Sequence, residues 1–265
     1  MAKEEFNVDS VAAVYDSIKY LPGPAKRTVE NAGLKPGQKV LDVACGTGWA
    51  TMRAAELVGD SGFVTGIDIA NLLLDVARKK AEDSELNNIE YLVGNAESLE
   101  FYDNSFDVLT CASSIFVFDD NKKALKEWLR VLKPGGKAIF STYDEETFQP
   151  VMGLYNRKLI EWEKETTSPG PKIGNAEECR ELLTNAGFQN VQTIKEELGL
   201  YFTDKDECWN QLANSLALRT RLSVLDPEEY ERFRAEHYKE LDSMVTHQGI
   251  WIDIPVHFGI GEKPE

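Results

Sequence analysis

Residues Lys39–Ile69, KVLDVACGTGWATMRAAELVGDSGFVTGIDI, decide the fold of this 265-residue chain. Val40, Leu41 and Val43 form a short apolar run suited to a buried strand. The turn that follows, Ala44-Cys45-Gly46-Thr47-Gly48, uses glycine to bend sharply and to bring the backbone close to a ligand with no Cβ in between. Met52, Ala55 and Val58 then recur at near-helical spacing, and Phe63 to Ile69 makes a second strand that carries Asp68 to its end. A strand, a glycine turn, a helix and a strand ending in an acid about 20 residues on form the unit that holds an adenosine ribose. The acid accepts hydrogen bonds from the ribose hydroxyls.

The glycine pattern narrows the ligand. A dinucleotide site requires a third glycine for close helix packing, and Thr51 stands there. No Lys-Ser/Thr pair follows the turn, so it is not a phosphate loop of the G-x-x-x-x-G-K type. A turn without a phosphate-binding series suits a ligand made of a ribose and an amino acid.

V-L-D-V-A-C-G-T-G resembles the first motif of the class I S-adenosylmethionine-dependent methyltransferases, and within them the small-molecule branch that includes the ubiquinone/menaquinone-biosynthesis enzymes. G-I-D-I (66–69), G-N-A-E (94–97), D-N-S-F-D-V (103–108) and L-K-P-G-G (132–136) follow in the family's order. The resemblance covers roughly residues 34 to 145. It implies S-adenosylmethionine as cofactor, with Asp42 and the Gly46–Gly48 turn on its methionine part. Asp68 would hold the ribose, Ile69 would pack on the adenine, Asn95 and Ala96 would face the adenine edge, and Ser113 would lie beside the methionine. Ala44 replaces a common glycine, a methyl group expected to be tolerated. Asn95 replaces a common acid, its amide offering both an acceptor and a donor.

The chain is long enough for one elaborated domain with a lid, and its 42% hydrophobic content is that of a globular protein. A net charge of −16 opposes attraction to nucleic acid or an anionic membrane, so neither is expected as a partner. Cys45, Cys111, Cys179 and Cys208 show no short paired spacing, so no metal site and no disulfide framework is expected. MAKEEFNVDS has no apolar signal segment and no run nears a membrane span, which makes a cytoplasmic monomer or homodimer the expectation.

Alternating strands and helices give an α/β fold, a Rossmann-like doubly wound sheet of seven strands with the last antiparallel, carrying helical lid insertions. Residues 1–33 read as a helical extension or lid, with Val11, Tyr15 and Ile18 on one face and Leu21-Pro22-Gly23-Pro24 breaking the helix. The resemblance makes Tyr15 and Tyr20 candidates to touch the cofactor. Residues 34–145 form the cofactor-binding core, 146–172 a helical insertion ending at Ser168-Pro169-Gly170-Pro171, and 173–199 the rest of the core. Residues 200–249 read as a helical lid, with Trp209, Leu212 and Leu216 on one face. Asp226-Pro227-Glu228-Glu229 starts a helix on which Tyr230, Phe233, His237, Leu241 and Met244 share a face. Residues 250–265 hold the final strand, bent at Pro255.

Methyl transfer from a sulfonium needs alignment and exclusion of water more than a catalytic triad, and the sequence contains no triad. Ligands sit at the carboxyl ends of such strands, which puts Ser113, Ser114, Tyr143 and Asp144 nearest the chemistry. His237, projecting from the lid, and Asp144 are the candidate bases. No N-P-P-[YFW]-like segment follows the fourth strand, which counts against nucleic-acid and protein-amide methylation. The expected reaction is methylation of a small, partly hydrophobic organic acceptor, oxygen favoured over carbon. The alternative is a regulator or scaffold that binds the cofactor without transferring methyl.

Overall fold

The computed structural model describes residues 15–164, 173–213, 215, 218 and 221–265. Val11, Leu216 and Ser168-Pro169-Gly170-Pro171 lie outside the described residues. After helix α1 (Pro22–Ala32) come β1 (Lys39–Val43), α2 (Trp49–Val58), β2 (Phe63–Asp68), α3 (Asn71–Asp83), β3 (Ile89–Val93) and β4 (Phe106–Cys111). Then follow α4 (Asn121–Val131), β5 (Leu132–Tyr143), α5 (Val151–Glu161), α6 (Ala176–Ala186) and β6 (Gln189–Glu197). β7 (Leu200–Phe202), α7 (Lys205–Ala213), α8 (Pro227–Asp242), β8 (Ile250–Ile252) and β9 (Pro255–Glu262) complete the chain.

The main sheet has seven strands in the order β3-β2-β1-β4-β5-β9-β6. β1 to β5 run parallel, and β9 runs antiparallel to both of its neighbours. The order reverses between β1 and β4, and ligands bind in the crevice beyond the strand ends at such a point. Val40 to Val43 are buried on both faces, which is why β1 reads as a nearly continuous apolar run. Val40, Val64, Val108 and Ile139 meet one apolar layer, with α1, α2 and the lid, while Leu41, Ile67, Leu109 and Phe140 meet the other, with α4 and α6.

Several local details qualify the pattern. α1 is the second helix expected after the break at Leu21-Pro22-Gly23-Pro24 and ends at Gly33 as expected; Pro22 is its first residue, where proline loses no helical hydrogen bond. Leu132 leaves α4 and starts β5, whose pairing with β4 shifts register before settling at Lys137 opposite Val108. Asn175 caps α6 by accepting from the Glu178 N–H, but Glu178 accepts from Gly174 N–H instead of closing the box on Asn175. Residues 200–249 are not helical throughout: β7 pairs antiparallel with β8, forming a two-stranded ribbon from which α7 and α8 hang. Pro255 lies at the start of β9, three residues past the end of β8, so the expected bend is a change of sheet.

The helices α5, α7 and α8 are held together by rings. Tyr155 of α5 stacks on Trp209 of α7 at 5.8 Å between centroids and approaches Phe233 of α8 at 5.4 Å. Asp226 and Glu229 close a full capping box at the start of α8.

Candidate active site

The turn after β1 is shaped by left-handed backbone at Ala44 (φ 53°), Gly46 (φ 55°) and Gly48 (φ 84°). A side chain on Gly48 would strike the Tyr91 ring, so glycine is required there by space as well as by φ. Ala44 has no such freedom; a non-glycine residue in this region is strained by about 1–2 kcal/mol. The alanine is accommodated, at a conformational cost that the sequence did not disclose.

Asp68 joins the two halves of the unit. One carboxylate oxygen accepts from the Gly46 N–H at 2.9 Å and the other from the Ala70 N–H at 2.9 Å, so the acid at the end of β2 also fixes the glycine turn. Beside it Ile69 is 68% exposed, an apolar surface left at the rim of the crevice. Asn95 gives its carboxamide oxygen to the Glu97 N–H at 2.8 Å, which commits the acceptor and leaves the amide hydrogens as donors. Ala96 is buried behind it.

Asp42 is buried at the end of β1, where its oxygens accept from the Thr51 and Thr110 hydroxyls at 2.6 and 2.7 Å. Burial pushes its pKa up to about 6; the two hydroxyls oppose that rise and the Asp68 charge adds to it. Thr110 stands opposite Asp42 in the β1–β4 register, a pairing that no local pattern reveals.

A narrow cleft opens at this point, lined by residues that include Tyr15, Asp42, Ala44, Cys45, Trp49 and Ser113. The Tyr15 ring lies over Gly46, 3.5 Å from where a Cβ would project. Asp16 accepts from the Thr47 hydroxyl and the Trp49 indole N–H, and pairs with Lys80 at 3.0 Å. The same segment is tied to the lid: the Gln211 carboxamide accepts from Lys19 N–H at 2.8 Å and donates to Ser17 C=O at 2.7 Å. Tyr20 lies deeper and is not among the residues lining the cleft; it packs edge-on against Phe148 and Tyr143.

Ser113 follows β4 in left-handed conformation (φ 52°), with its N–H held by Ser141 Oγ at 2.9 Å. Its hydroxyl, like that of Tyr143 at the end of β5, is buried without a hydrogen-bond partner among the described residues. Rings of Tyr20, Phe116 and Phe148 surround Tyr143 at 5.9–6.3 Å.

The two candidate bases sit elsewhere. Asp144 accepts from His257 Nε2 at 2.7 Å, Lys195 Nζ at 2.9 Å and the Glu146 N–H at 2.8 Å. Burial alone would raise its pKa, but these donors outweigh burial and hold the carboxyl below its usual range. His237 is fully buried in the lid, 4.2 Å from the Tyr155 ring and 3.2 Å from Glu240. Burial pushes its pKa down to about 4, against the pull of Glu240. Neither side chain lines the cleft. Thr51, Thr110, Asp16 and Trp49 were absent from the expected site; only the closeness of Thr51 and Trp49 to the glycine turn offered a signal.

The residues present fit the adenosyl and methionine ends of S-adenosylmethionine: an acid at the ribose position, an exposed isoleucine beside it, and a turn whose glycines leave room for a ligand. Strand order, glycine turn and terminal acid together define a class I S-adenosylmethionine-dependent methyltransferase. Residues 17–168, more than half of the sequence, match the ubiE/COQ5 methyltransferase family, and the chain belongs to it. It is 42% identical over 137 residues to the ubiquinone/menaquinone biosynthesis C-methyltransferase UbiE of Shewanella sediminis, a match covering 50% of this chain and 55% of that one. With the protein of the same name from Shewanella frigidimarina it shares 35% identity over 206 residues, 69% of this chain and 81% of that one. In fold it is similar to the YcgJ protein of Bacillus subtilis (TM-score 0.60, 20% identity, 91% and 98% of the two chains). A S-adenosylmethionine-dependent methyltransferase from Aquifex aeolicus also superposes (TM-score 0.55, 24% identity, 71% and 91%). The curated relatives are named C-methyltransferases, so the expected preference for oxygen over carbon has no support from them.

Proposed function

We propose that this chain methylates carbon in a small, partly hydrophobic organic acceptor of the kind met in quinone biosynthesis. The observation that carries this reading is the aromatic wall of Tyr20, Phe116, Tyr143 and Phe148 at the ends of β4 and β5, next to the cofactor turn. Such a wall suits a flat apolar ring, and the names of the relatives favour carbon as the atom methylated.

When bound, the cofactor supplies a methyl group on a sulfonium centre that is already electrophilic. The chain's part is to hold and to exclude. Asp68 takes the ribose hydroxyls, Ile69 covers one face of the adenine, and Asn95 with Ala96 meets its edge. Asp42, Ala44, Gly46, Gly48 and Ser113 surround the methionine end. Tyr15 and the segment carrying Tyr20 close over the turn, and their ties to α7 make that closure part of the lid. Alignment of this kind is worth about 7–11 kcal/mol of barrier, and the carbon that gains the methyl gives up its proton to solvent. Asp144 and His237 are therefore assigned to the framework.

Methyl-labelled cofactor incubated with the protein and fractionated cell extract tests this. Label should enter the organic-soluble fraction, be lost with Asp68→Ala, and reside on carbon by NMR. Label in protein or nucleic acid, or on oxygen, overturns the corresponding part.

A further inference from the structure

The hydroxyls of Ser113 and Tyr143 are two buried polar atoms without a hydrogen-bond partner among the described residues. Buried polar groups are nearly always paired, so two orphans beside one site call for an explanation. They are neighbours. Burial pushes the Tyr143 phenol up to about 12, and the Ser113 hydroxyl beside it opposes part of that rise. Tyr143 is thus a neutral donor throughout the physiological range.

Their setting is that of an acceptor site. Ser113 lines the cofactor cleft at the end of β4, and Tyr143 ends the adjacent strand β5. The rings of Tyr20, Phe116 and Phe148 lie around the Tyr143 ring. The backbone supports the placement, because Ser113 is kept in its left-handed conformation by Ser141. An apolar wall with one pair of convergent hydroxyls recognises a flat ring bearing an oxygen.

Resting on the methyl-transfer reading above, we infer that Tyr143 Oη and Ser113 Oγ form the site for the ring oxygen of the acceptor, a hydroxyl or carbonyl on a planar apolar body. Tyr143 donates to that oxygen, and the serine donates or accepts as the oxygen requires. The pair fixes which edge of the ring faces the cofactor and rejects rings that lack the oxygen.

The test compares 1-naphthol with naphthalene, titrated into the protein saturated with S-adenosylhomocysteine, whose own binding is measured first. The wild-type chain should bind 1-naphthol about 10-fold or more tightly than naphthalene, the discrimination of one well-made hydrogen bond. Tyr143→Phe should erase that ratio, leave naphthalene and S-adenosylhomocysteine affinity unchanged, and change Tm little, since the Ser113 hydroxyl is the polar contact it gives up. Ser113→Ala should reduce the ratio in part and serves if the tyrosine variant fails to fold. A ratio near one in the wild type, absence of saturable 1-naphthol binding, or a ratio retained in both variants overturns the proposal. Failure of the wild type to bind S-adenosylhomocysteine would instead strike the methyltransferase reading itself.

Discussion

Asp42 offers a test in which stability and function move in opposite directions. Replacing it with asparagine keeps the size and leaves partners for Thr51 and Thr110, one hydroxyl turning to accept from the new amide. Burial raises the carboxyl from 3.8 to about 6, and at about 1.36 kcal/mol per pH unit this amounts to about 3 kcal/mol against the charged form in the folded chain. The sign follows from a folded pKa above the unfolded one. The neutral acid's advantage is complete below about pH 3.8 and is lost as pH rises through about 6, so the native protein bears the penalty at neutral pH. Asp42→Asn should therefore be more stable than the parent at pH 7.5 by up to about 3 kcal/mol, falling to about half of that at pH 5. Urea unfolding of both proteins at pH 5, 6 and 7.5, followed by far-UV circular dichroism, reads the difference. A gap independent of pH, or one that widens as pH falls, refutes the reasoning. S-adenosylhomocysteine affinity should drop in the same variant, because on the proposed reading the Asp42 carboxylate faces the cationic amine at the methionine end.

Ala44→Gly should relieve the left-handed strain and raise stability by about 0.5–1 kcal/mol, the extra freedom of the unfolded glycine offsetting part of the gain; an unchanged or lower Tm counts against strain at that position. Asp68→Ala should weaken S-adenosylhomocysteine binding at least 10-fold in calorimetry and also lower Tm, since the Gly46 and Ala70 N–H groups lose their acceptor. His237→Phe should fold and retain turnover, as a framework residue among rings, whereas a 100-fold loss of kcat in a folded variant would restore the histidine to the chemistry. Asp226→Ala should cost about 1 kcal/mol by removing the capping box of α8, measurable by chemical denaturation.

The cofactor half of the fold was legible because its signals are local. Gly48, Asp68 and the strand they flank lie within one βαβ unit, and the backbone geometry each requires leaves few residue choices. The ribbon of β7 and β8 was hidden for the opposite reason. Ile250-Trp251-Ile252 shares its alternation with β9, and its partner Leu200–Phe202 lies some fifty residues away, before α7 and α8. Asp144 looked available beside the crevice because its captors, Lys195 and His257, reach it only across the completed sheet. His237 sits on the buried face of α8 as its spacing implied, but spacing tells which side of a helix is covered and not whether a substrate or another ring covers it.

The place of β9 has a consequence for how such a chain is made. The strand pairs with β5 on one side and β6 on the other, yet it leaves the ribosome after the whole lid. Until it emerges, the nascent chain carries two raw edges, one on a five-stranded parallel sheet and one on an unattached strand. Each can template the wrong partner. At about 5–20 residues per second, the roughly 65 residues between the ends of β6 and β9 take several seconds to appear. The lid, whose aromatic residues must cluster in the same interval, is therefore assembled on an unfinished sheet, and the last eight-residue strand seals both at once.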